Sequence, residues 1–481
     1  MHIISQLRPG ADLSRVTLPT FILEPRSMLE RITNFMAHPE TLLPITEIQD
    51  PVERFVAVVK FYLSGWHIKP PGVKKPLNPI LGEIFTSYWD YPDKTRGYYI
   101  SEQTSHHPPK SSYFFMAPEH HIRIDGTLKP RSKFLGNSAA SMMEGIAVLR
   151  LLNTGERYFV TQPNMYARGI LFGTMKYELG DHAFIRCPET GLVADLEFKT
   201  KGYFGGTYNA IGGFIKDSHD KNLFELSGMW NKEMYIKDLT THKKDLLFDA
   251  THARHSPPKV RPLEEQEDRE SQKLWTKVVQ AVKNKDHEGA TDEKSRIEDM
   301  QREEAAKRNN DGVDWHPQLF RRVQGGQGGS EEGEEDLDWI INAKVDGKTP
   351  EEQVKQILQI AAILPGQSPK REFAIPSRKA SLERVPTRNT LETPSVETPQ
   401  AQQQQNPIMG DLIDLSDPVP HPPPQPPRHQ SDNSKEDDLM KGVPPSKLLH
   451  STRQPESAAR NALRRTDSET NEEDEFHDAH S

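Results

Sequence analysis

Short helical patterns open the chain. Asp50, Pro51 and Glu53 form the signature of a helix N-terminus: a capping side chain, a proline at the first helical position and a carboxylate three residues after the cap. The apolar residues that follow recur at helical spacing: Val52, Phe55, Val56, Val59 and Leu63. Pro25 stands in the same way ahead of RSMLERITNFM, so we expect an earlier helix to begin at Pro25.

Over residues 84–247 the pattern changes to short runs rich in aromatic and β-branched residues, separated by turn residues. Many short strands with hairpin-sized links predict a large antiparallel sheet or barrel rather than alternating strands and helices. The glycines between residues 202 and 213 fall inside strand-like sequence. Because no helix-forming run follows them, we interpret them as bulges or bends rather than as a phosphate-binding loop.

Helical spacing returns near Pro262. One apolar stripe is interpreted as core packing: Leu274, Trp275, Val278, Val279 and Val282. A second helix is predicted over about residues 292–308. The run VQGGQGGSEEGEED, which is typical of a flexible linker, comes later, and we place the end of the first domain, residues 1–325, there. The fold class predicted for this domain is mainly β with flanking helices (α+β).

Composition separates the rest of the chain. Residues 351–481 hold 17 of the 39 prolines but only two aromatic residues, Phe373 and Phe476. Such a segment buries too little apolar surface to offset the entropy of ordering it, so residues 326–481 are expected to be mostly disordered. Thr349 and Glu352 form a capping box that opens one short helix, about residues 350–364. Its apolar face could pack on the domain, on a membrane or on a partner.

Charge and cysteine content exclude further classes of protein. The formal net charge of -9 argues against general nucleic-acid binding. Cys187 is the only cysteine, so we expect neither an internal disulfide nor a structural zinc cluster. The chain has no run of 18 apolar residues and no secretory signal, which predicts a soluble, cytoplasmic protein.

Three polar motifs carry the candidate chemistry: residues 74–83 (KKPLNPILGE), residues 102–109 (EQTSHHPP), and Lys294, Glu298 and Arg302 on one helical face. Taken singly, they suggest a rigid turn, a strand whose adjacent histidines point to opposite faces, and a salt-bridge row. Together they could gather cationic and imidazole N–H donors around a phosphate. No catalytic motif is present, so we predict no enzyme activity, no catalytic residue and no metal site.

The same motifs resemble fingerprints of the oxysterol-binding-protein-related (Osh/ORP) lipid-transfer family. EQTSHHPPKSSYFF is similar to its EQVSHHPP segment, KPLNPILGEIF to its KPLNP-LGE segment, and DEKSRIEDMQR to its distal helix with a Lys–Glu–Arg row. The resemblance spans about residues 3–322. It implies a large incomplete antiparallel barrel around a lipid tunnel, with an N-terminal lid, flanking helices and no cofactor besides the lipid ligands.

The resemblance also implies site residues. The headgroup site for phosphatidylinositol 4-phosphate would consist of Lys75, Asn78, His106, His107, Lys294, Glu298 and Arg302, with Glu298 orienting its basic neighbours. LPTFILEPRS resembles the short fungal members that carry phosphatidylserine rather than sterol. The phosphatidylserine site would consist of Leu18, Thr20, Ile22, Lys75, Asn78 and Ser132.

The function implied is exchange of phosphatidylserine and phosphatidylinositol 4-phosphate between the endoplasmic reticulum and the plasma membrane. A sterol-binding or sterol-transfer protein, or a phosphoinositide-sensing regulator, is the alternative. The lid would cover residues 1–20, with an apolar patch formed by Ile3, Ile4 and Leu7. The chain begins inside what is normally the lid segment, which leaves open a shortened lid or a late start.

The C-terminal end has a motif of its own. Residues 467–479 include seven acidic and no basic residues. Within residues 467–481, Glu475, Phe476, Asp478 and Ala479 resemble the FFAT motif that binds VAP proteins of the endoplasmic reticulum. This motif predicts a VAP-type receptor as a partner. We also expect a monomer that binds membranes transiently, at contact sites between the endoplasmic reticulum and the plasma membrane.

Overall fold

The computed structural model describes residues 22–70, 72–170, 174–202, 206–324 and 337–368. Within them lie nineteen strands: β1 (Leu23–Ser27), β2 (Lys75–Leu77), β3 (Ile84–Asp90), β4 (Arg96–His106), β5 (Pro109–Ala117), β6 (Ile122–Leu128), β7 (Pro130–Phe134), β8 (Ser138–Met143), β9 (Ile146–Leu151), β10 (Glu156–Val160), β11 (Asn164–Arg168), β12 (Lys176–Cys187), β13 (Leu192–Lys199), β14 (Ala210–Lys216), β15 (Asn222–Met229), β16 (Glu233–Asp238), β17 (Lys244–Asp249), β18 (Phe320–Arg322) and β19 (Trp339–Ile341).

The same residues form seven α-helices: α1 (Met28–Arg31), α2 (Pro39–Leu42), α3 (Pro51–Ser64), α4 (Ser271–Leu274), α5 (Thr276–Lys283), α6 (His287–Asp311) and α7 (Pro350–Ile360). Four short 3-10 helices lie at Ile32–Met36, Leu43–Glu47, Pro118–His120 and Leu263–Glu265. No helix within these ranges is both long and apolar enough to cross a membrane.

Fifteen of the strands form one sheet. Its main path runs β17-β16-β15-β14-β13-β12-β10-β9-β6-β5-β4-β3, and β11, β8 and β7 branch from β12. The strands pair in antiparallel fashion, as in β4 with β5 and β12 with β13. In the described part of the chain, β3 and β17 remain the two open ends. The predicted large, incomplete antiparallel sheet with flanking helices is therefore confirmed.

A glycine in β14 allows the sheet to bend. Gly213 has φ +125°, and a Cβ atom there would collide with the carbonyl oxygen of Asp195 on β13. Only glycine tolerates both the backbone angle and the close approach of the neighbouring strand. The structure thus agrees with a bend rather than a phosphate-binding loop at this position.

The N-terminal helices follow one sequence signal and contradict another. Asp50 caps α3 as predicted, since its side chain accepts from the N–H groups of Val52 and Glu53, both at 2.9 Å. The predicted helix start at Pro25 is wrong. Pro25 lies in β1, which pairs in parallel with β2, and α1 begins only after Ser27.

The core lies between α3 and the inner face of the sheet. The rings of Phe55 and Tyr158 are 5.9 Å apart, and those of Trp66 and Phe198 are 5.7 Å apart. The predicted stripe on α4 and α5 is also core, because Trp275 and Val278 pack against Leu77. Each large apolar side chain buried in this way contributes about 1.5–3 kcal/mol.

The segment 337–368 packs against the sheet. Its capping box forms at Thr349 and Glu352 as predicted, and α7 follows. The apolar face of this segment packs against β3, β4 and β5, with Ile357 and Ile363 in one cluster with Phe114. Of the three predicted options, the helix therefore docks on the domain.

The packed domain continues past the predicted boundary at residue 325. β18 pairs with β19, so the two strands of one hairpin lie on either side of that residue. A second cluster joins Val323 on the near side to Leu337 and Ile340 on the far side. The remainder of the predicted tail, from residue 369, lies outside the described residues.

Candidate functional site

The three polar motifs meet at one place. The N–H of Gly82 donates to the carbonyl of Gln103 at 3.0 Å, and the N–H of Gln103 donates to the carbonyl of Glu83 at 2.9 Å. On the other side of the loop, the side chain of Gln301 in α6 accepts from the N–H of Leu81 at 2.7 Å. The loop after β2, the end of β4 and helix α6 are thus joined directly.

The fully buried carboxylate of Glu83 fixes this loop to neighbouring elements. Glu83 accepts hydrogen bonds from Ser27 Oγ at 2.5 Å, Ser271 Oγ at 2.6 Å, Trp275 Nε1 at 2.9 Å and the N–H of Ile80 at 3.1 Å. Burial raises the pKa of Glu83, and the four donors oppose that rise. One side chain therefore fixes the end of β1, the start of α4 and the loop at a common point.

A second buried carboxylate fixes the chain after α6. Glu102 accepts from the N–H groups of Gln318 and Leu319, each at 2.7 Å. Together with Gln301, the two carboxylates of Glu83 and Glu102 were missed as functional positions in the sequence. The available signal was an acid placed next to apolar strand residues, as in LGEIF.

The two histidines are in contact, which contradicts the expectation of opposite faces. β4 ends at His106, and His107 lies in the turn before β5, so the alternation of a strand no longer applies to it. The ring centroids are 4.5 Å apart with an interplanar angle of 68°. His107 is exposed, whereas His106 is half-buried. The Nδ1 atom of His106 has no hydrogen-bond partner among the described residues.

His106 lies between the loop and α6. Burial and the neighbouring His107 lower the pKa of His106, while the carbonyl of Pro79 and the carboxylate of Glu298 oppose this shift. The imidazole is therefore mainly neutral at pH 7 and gains a proton only at lower pH. A carbonyl from one motif and a carboxylate from another thus moderate the lowering of the pKa of His106 in the third motif.

The predicted row on α6 forms in part. Lys294 Nζ donates to Glu298 Oε1 at 2.5 Å, and the lysine side chain is only 18% exposed. Arg302 instead bonds Asp299, with Nε to Oδ1 at 3.2 Å, and is 65% exposed. The row thus consists of one ordered ion pair beside His106 and one exposed arginine.

The remaining predicted residues occupy different places. Lys75 lies opposite Leu23 in the β1–β2 pair, next to Ile22, and Asn78 is exposed in the loop that follows. Ser132 lies on β7 opposite Ser141 of β8, so the branch of the sheet carries it rather than the loop or α6. The other predicted positions lie outside the described residues: Leu18, Thr20, Ile3, Ile4, Leu7, Glu475, Phe476, Asp478 and Ala479. Groups of three or more His, Cys, Asp or Glu suited to a metal ion do not occur in the described part of the chain.

The chain is similar to known proteins over most of its length. The family model "Oxysterol-binding protein" matches residues 2–281 and 277–348. Oxysterol-binding protein homolog 7 of Saccharomyces cerevisiae is 55% identical over 391 residues, which cover 79% of this chain and 87% of that protein.

Solved structures share the fold at lower identity. The Osh1 ORD domain in complex with cholesterol has a TM-score of 0.59 at 21% identity and covers 74% of this chain and 88% of that one. The Osh3 ORD in complex with PI(4)P from Saccharomyces cerevisiae has a TM-score of 0.53 at 22% identity, covering 73% and 94%. The chain belongs to the oxysterol-binding protein family.

Proposed function

We propose that this member of the family is a non-enzymatic carrier that exchanges phosphatidylserine and phosphatidylinositol 4-phosphate between the endoplasmic reticulum and the plasma membrane. The observation that supports this most is the convergence of cationic and imidazole groups from three distant segments. Lys75 precedes the loop held by Glu83, His106 contacts the Pro79 carbonyl of that loop, His107 contacts His106, and Lys294 pairs with Glu298, whose charge acts on His106.

The chemistry of these groups suits a phosphate. A lysine ammonium has three N–H donors, and the contact of Lys294 with Glu298 uses one of them. Charge-assisted hydrogen bonds to phosphate oxygens are about twice as strong as neutral ones. Glu298 acts in this proposal as a positioning residue, since it accepts from the ammonium of Lys294 and its charge acts on His106.

A lipid with two acyl chains needs a carrier to cross water because of the hydrophobic effect. Each CH₂ exposed to water costs about 0.8 kcal/mol, so two acyl chains with about 30 such groups would cost on the order of 20 kcal/mol to extract bare. An enclosing apolar interior lowers that barrier. The related Osh3 and Osh1 ORD structures hold PI(4)P and cholesterol within the same fold.

Phosphatidylserine is proposed as the second lipid. Ile22 and Lys75 are brought together by the pairing of β1 with β2, and Ser132 on β7 would supply a hydroxyl. If both lipids compete for one interior, a downhill gradient of the phosphoinositide drives phosphatidylserine in the other direction. The acidic C-terminal motif would recruit a VAP-type receptor of the endoplasmic reticulum.

The histidine pair provides the test. We predict that His106→Ala/His107→Ala reduces extraction of phosphatidylinositol 4-phosphate from vesicles by about 10–100-fold, because His107 and the imidazolium that His106 forms beside a phosphate are both lost as donors. Extraction of phosphatidylserine should be largely retained. The control is His182→Ala/His252→Ala, which removes two exposed histidines whose partners are Asp195 and Asp249.

The outcome separates the alternatives. Equal loss of both lipids in the double variant, with an unchanged circular dichroism spectrum, contradicts a phosphate-specific role of the histidines. Extraction of sterol but of neither phospholipid by the unmodified protein supports the sterol alternative instead.

A further inference from the structure

The hairpin between β7 and β8 holds an apolar residue away from the body of the protein. Leu135 lies at its tip and is 51% exposed. The N–H of Leu135 donates to the carbonyl of Ser138 at 2.8 Å, which closes the turn. Gly136 has φ +90°, and a Cβ atom there would meet nothing within 4 Å. The exposed leucine is therefore presented on a closed turn, with open space at the neighbouring Gly136.

Cations share the outward face of this hairpin. Successive side chains of a strand alternate between faces, so Arg131 and Lys133 point to one side of β7, while Ser132 and Phe134 point to the other. Leu135 follows the end of β7 directly and is exposed like the two cations. Phe134 is buried, whereas Arg131 and Lys133 are exposed. The tip is thus apolar and the strand leading to it is basic.

The neighbouring loops add to the basic character. The N–H groups of Gly169 and Ile170 donate to the carbonyl of Asn137 at 3.0 and 3.1 Å, which puts the end of β11 beside the tip. Arg168 at this end is 42% exposed and lies opposite Lys176 of β12.

Lys176 and Lys201 both lie over the ring of Tyr208, at 4.4 and 4.6 Å from its centroid. Five cations therefore lie at this end of the strands: Arg131, Lys133, Arg168, Lys176 and Lys201. Among the described residues, Glu144 pairs with Arg131 and Glu178 with Arg168. Within the described part of this end, cations thus outnumber the carboxylates that pair with them.

The opposite end of the same strands carries charges of both signs. The turns at 188–191 and 217–221 carry Glu189, Asp217, Asp220 and Lys221. Glu189 pairs with Arg157, and Asp220 pairs with Lys216. The acids at this end are therefore matched by cations, and the excess of cations belongs to the hairpin tip.

We propose that the surface formed by Leu135, Arg131, Lys133, Arg168, Lys176 and Lys201, here called the hairpin-tip surface, docks on a bilayer that contains anionic lipids. The leucine inserts among the acyl chains while the cations contact lipid phosphates. A single apolar side chain on a protruding turn suits a deformable bilayer better than a shaped protein surface. The inference rests on the proposed function only in that a lipid carrier has to reach a bilayer, and Ser132 on the same strand is a proposed lipid contact.

Vesicle binding by the full chain tests this surface. Binding is measured with vesicles of phosphatidylcholine alone and with added phosphatidylglycerol, an anionic lipid that is not the proposed cargo. We expect tighter binding to the anionic vesicles, a loss of about 5–20-fold for Leu135→Ser, and a loss of about fivefold with a weaker salt dependence for Lys133→Ser. Leu246→Ser, which removes a leucine of β17 that is 54% exposed, should bind like the unmodified protein.

A second measurement separates docking from ligand binding. Affinity for soluble, short-chain phosphatidylinositol 4-phosphate should be unchanged in Leu135→Ser. Normal docking by a protein that extracts neither phospholipid would support this inference while contradicting the proposed function. Equal vesicle binding by Leu135→Ser and the unmodified protein would overturn the inference and favour an acidic protein partner. An equal loss in Leu246→Ser, or no preference for phosphatidylglycerol, would also overturn it.

Discussion

The buried carboxylates and the exposed residues of the same motifs have different roles. Glu83 and Glu102 are fully buried and accept hydrogen bonds from several segments. Asn78, His107 and Arg302 come from the same three motifs and are exposed. Glu83 fixes the geometry of the loop, Glu102 fixes the chain after α6, and the exposed groups are the ones proposed to contact a ligand. Each motif is thus divided by burial into a supporting part and a proposed binding part.

The energetics of the two parts differ accordingly. A buried carboxylate is costly to desolvate, and only well-placed donors offset that cost. Removing such an acid leaves its donors buried without an acceptor, at about 1–3 kcal/mol each. An exposed ion pair such as Arg302 with Asp299 contributes about 0–1 kcal/mol. Substitutions in the two parts should therefore affect different measurements.

The largest effect is expected for Glu83. We predict that Glu83→Ala lowers the free energy of unfolding by about 3–5 kcal/mol, because Ser27, Ser271 and Trp275 lose a shared acceptor. Urea unfolding measures this directly. The matched variant Arg302→Ala should change the unfolding free energy by less than about 0.5 kcal/mol. A smaller loss in Glu83→Ala than in Arg302→Ala would remove the distinction between the two parts.

An intermediate effect is expected for Asp338, which joins the segment 337–368 to β5 and to the residue that follows β6. Its carboxylate contacts Lys110 Nζ at 2.8 Å and Lys129 Nζ at 2.5 Å, and its side chain is 14% exposed. Burial tends to raise the pKa of Asp338, but the hydrogen bonds from the two lysines outweigh it and lower the pKa below 3.8. The charged carboxylate therefore stabilises the fold above pH 3.8, and this contribution is lost as the pH falls through the lowered pKa.

We predict that Asp338→Asn costs about 1–2 kcal/mol of unfolding free energy at pH 7, and that the difference from the unmodified protein shrinks below pH 3.8. Urea unfolding at a series of pH values measures both quantities. Asp299→Asn, at an exposed pair, serves as the control and should cost less. A difference that persists unchanged at low pH would mean that packing, and not charge, carries the effect.

Short sequence signals correctly predicted those helices whose caps depend only on neighbouring residues. The cap at Asp50 and the capping box at Thr349 each identified a helix correctly, since all participating atoms lie within one turn. Pro25 failed because β1 is fixed by pairing with β2, some 50 residues later in the chain, and no local signal encodes that contact. The predicted domain boundary at residue 325 was wrong for the same reason, because β18 pairs with β19, which follows a linker-like run in the sequence.

The site divides in the same way. The resemblance named the proposed headgroup residues, but it did not identify which contacts hold them in place. The donors to Glu83 include Ser27 and Ser271, which are 56 and 188 residues away in sequence. The contact between His106 and His107 depends on where β4 ends, which the alternation rule does not predict. The sequence patterns predicted neither the long-range hydrogen bonds nor the residues at which strands and helices end.

The smallest effect is expected at Glu298, where the supporting and binding parts meet. Burial and His107 lower the pKa of His106, and Glu298 opposes this shift, so removal of its charge should lower the pKa further. An imidazolium binds phosphate more strongly than a neutral imidazole. Affinity for short-chain phosphatidylinositol 4-phosphate should therefore increase as the pH falls through the pKa of His106.

In Glu298→Gln this increase should set in at a lower pH than in the unmodified protein. Asp299→Asn removes an acid from the next position of α6 and should leave the pH profile unchanged, because Asp299 bonds Arg302 and not His106. Calorimetric titration over a pH series measures the three profiles. The ligand phosphate titrates identically in all three, so only the displacement between profiles matters. Coinciding profiles for the unmodified protein and Glu298→Gln would show that Glu298 supports Lys294 alone and does not influence the charge of His106.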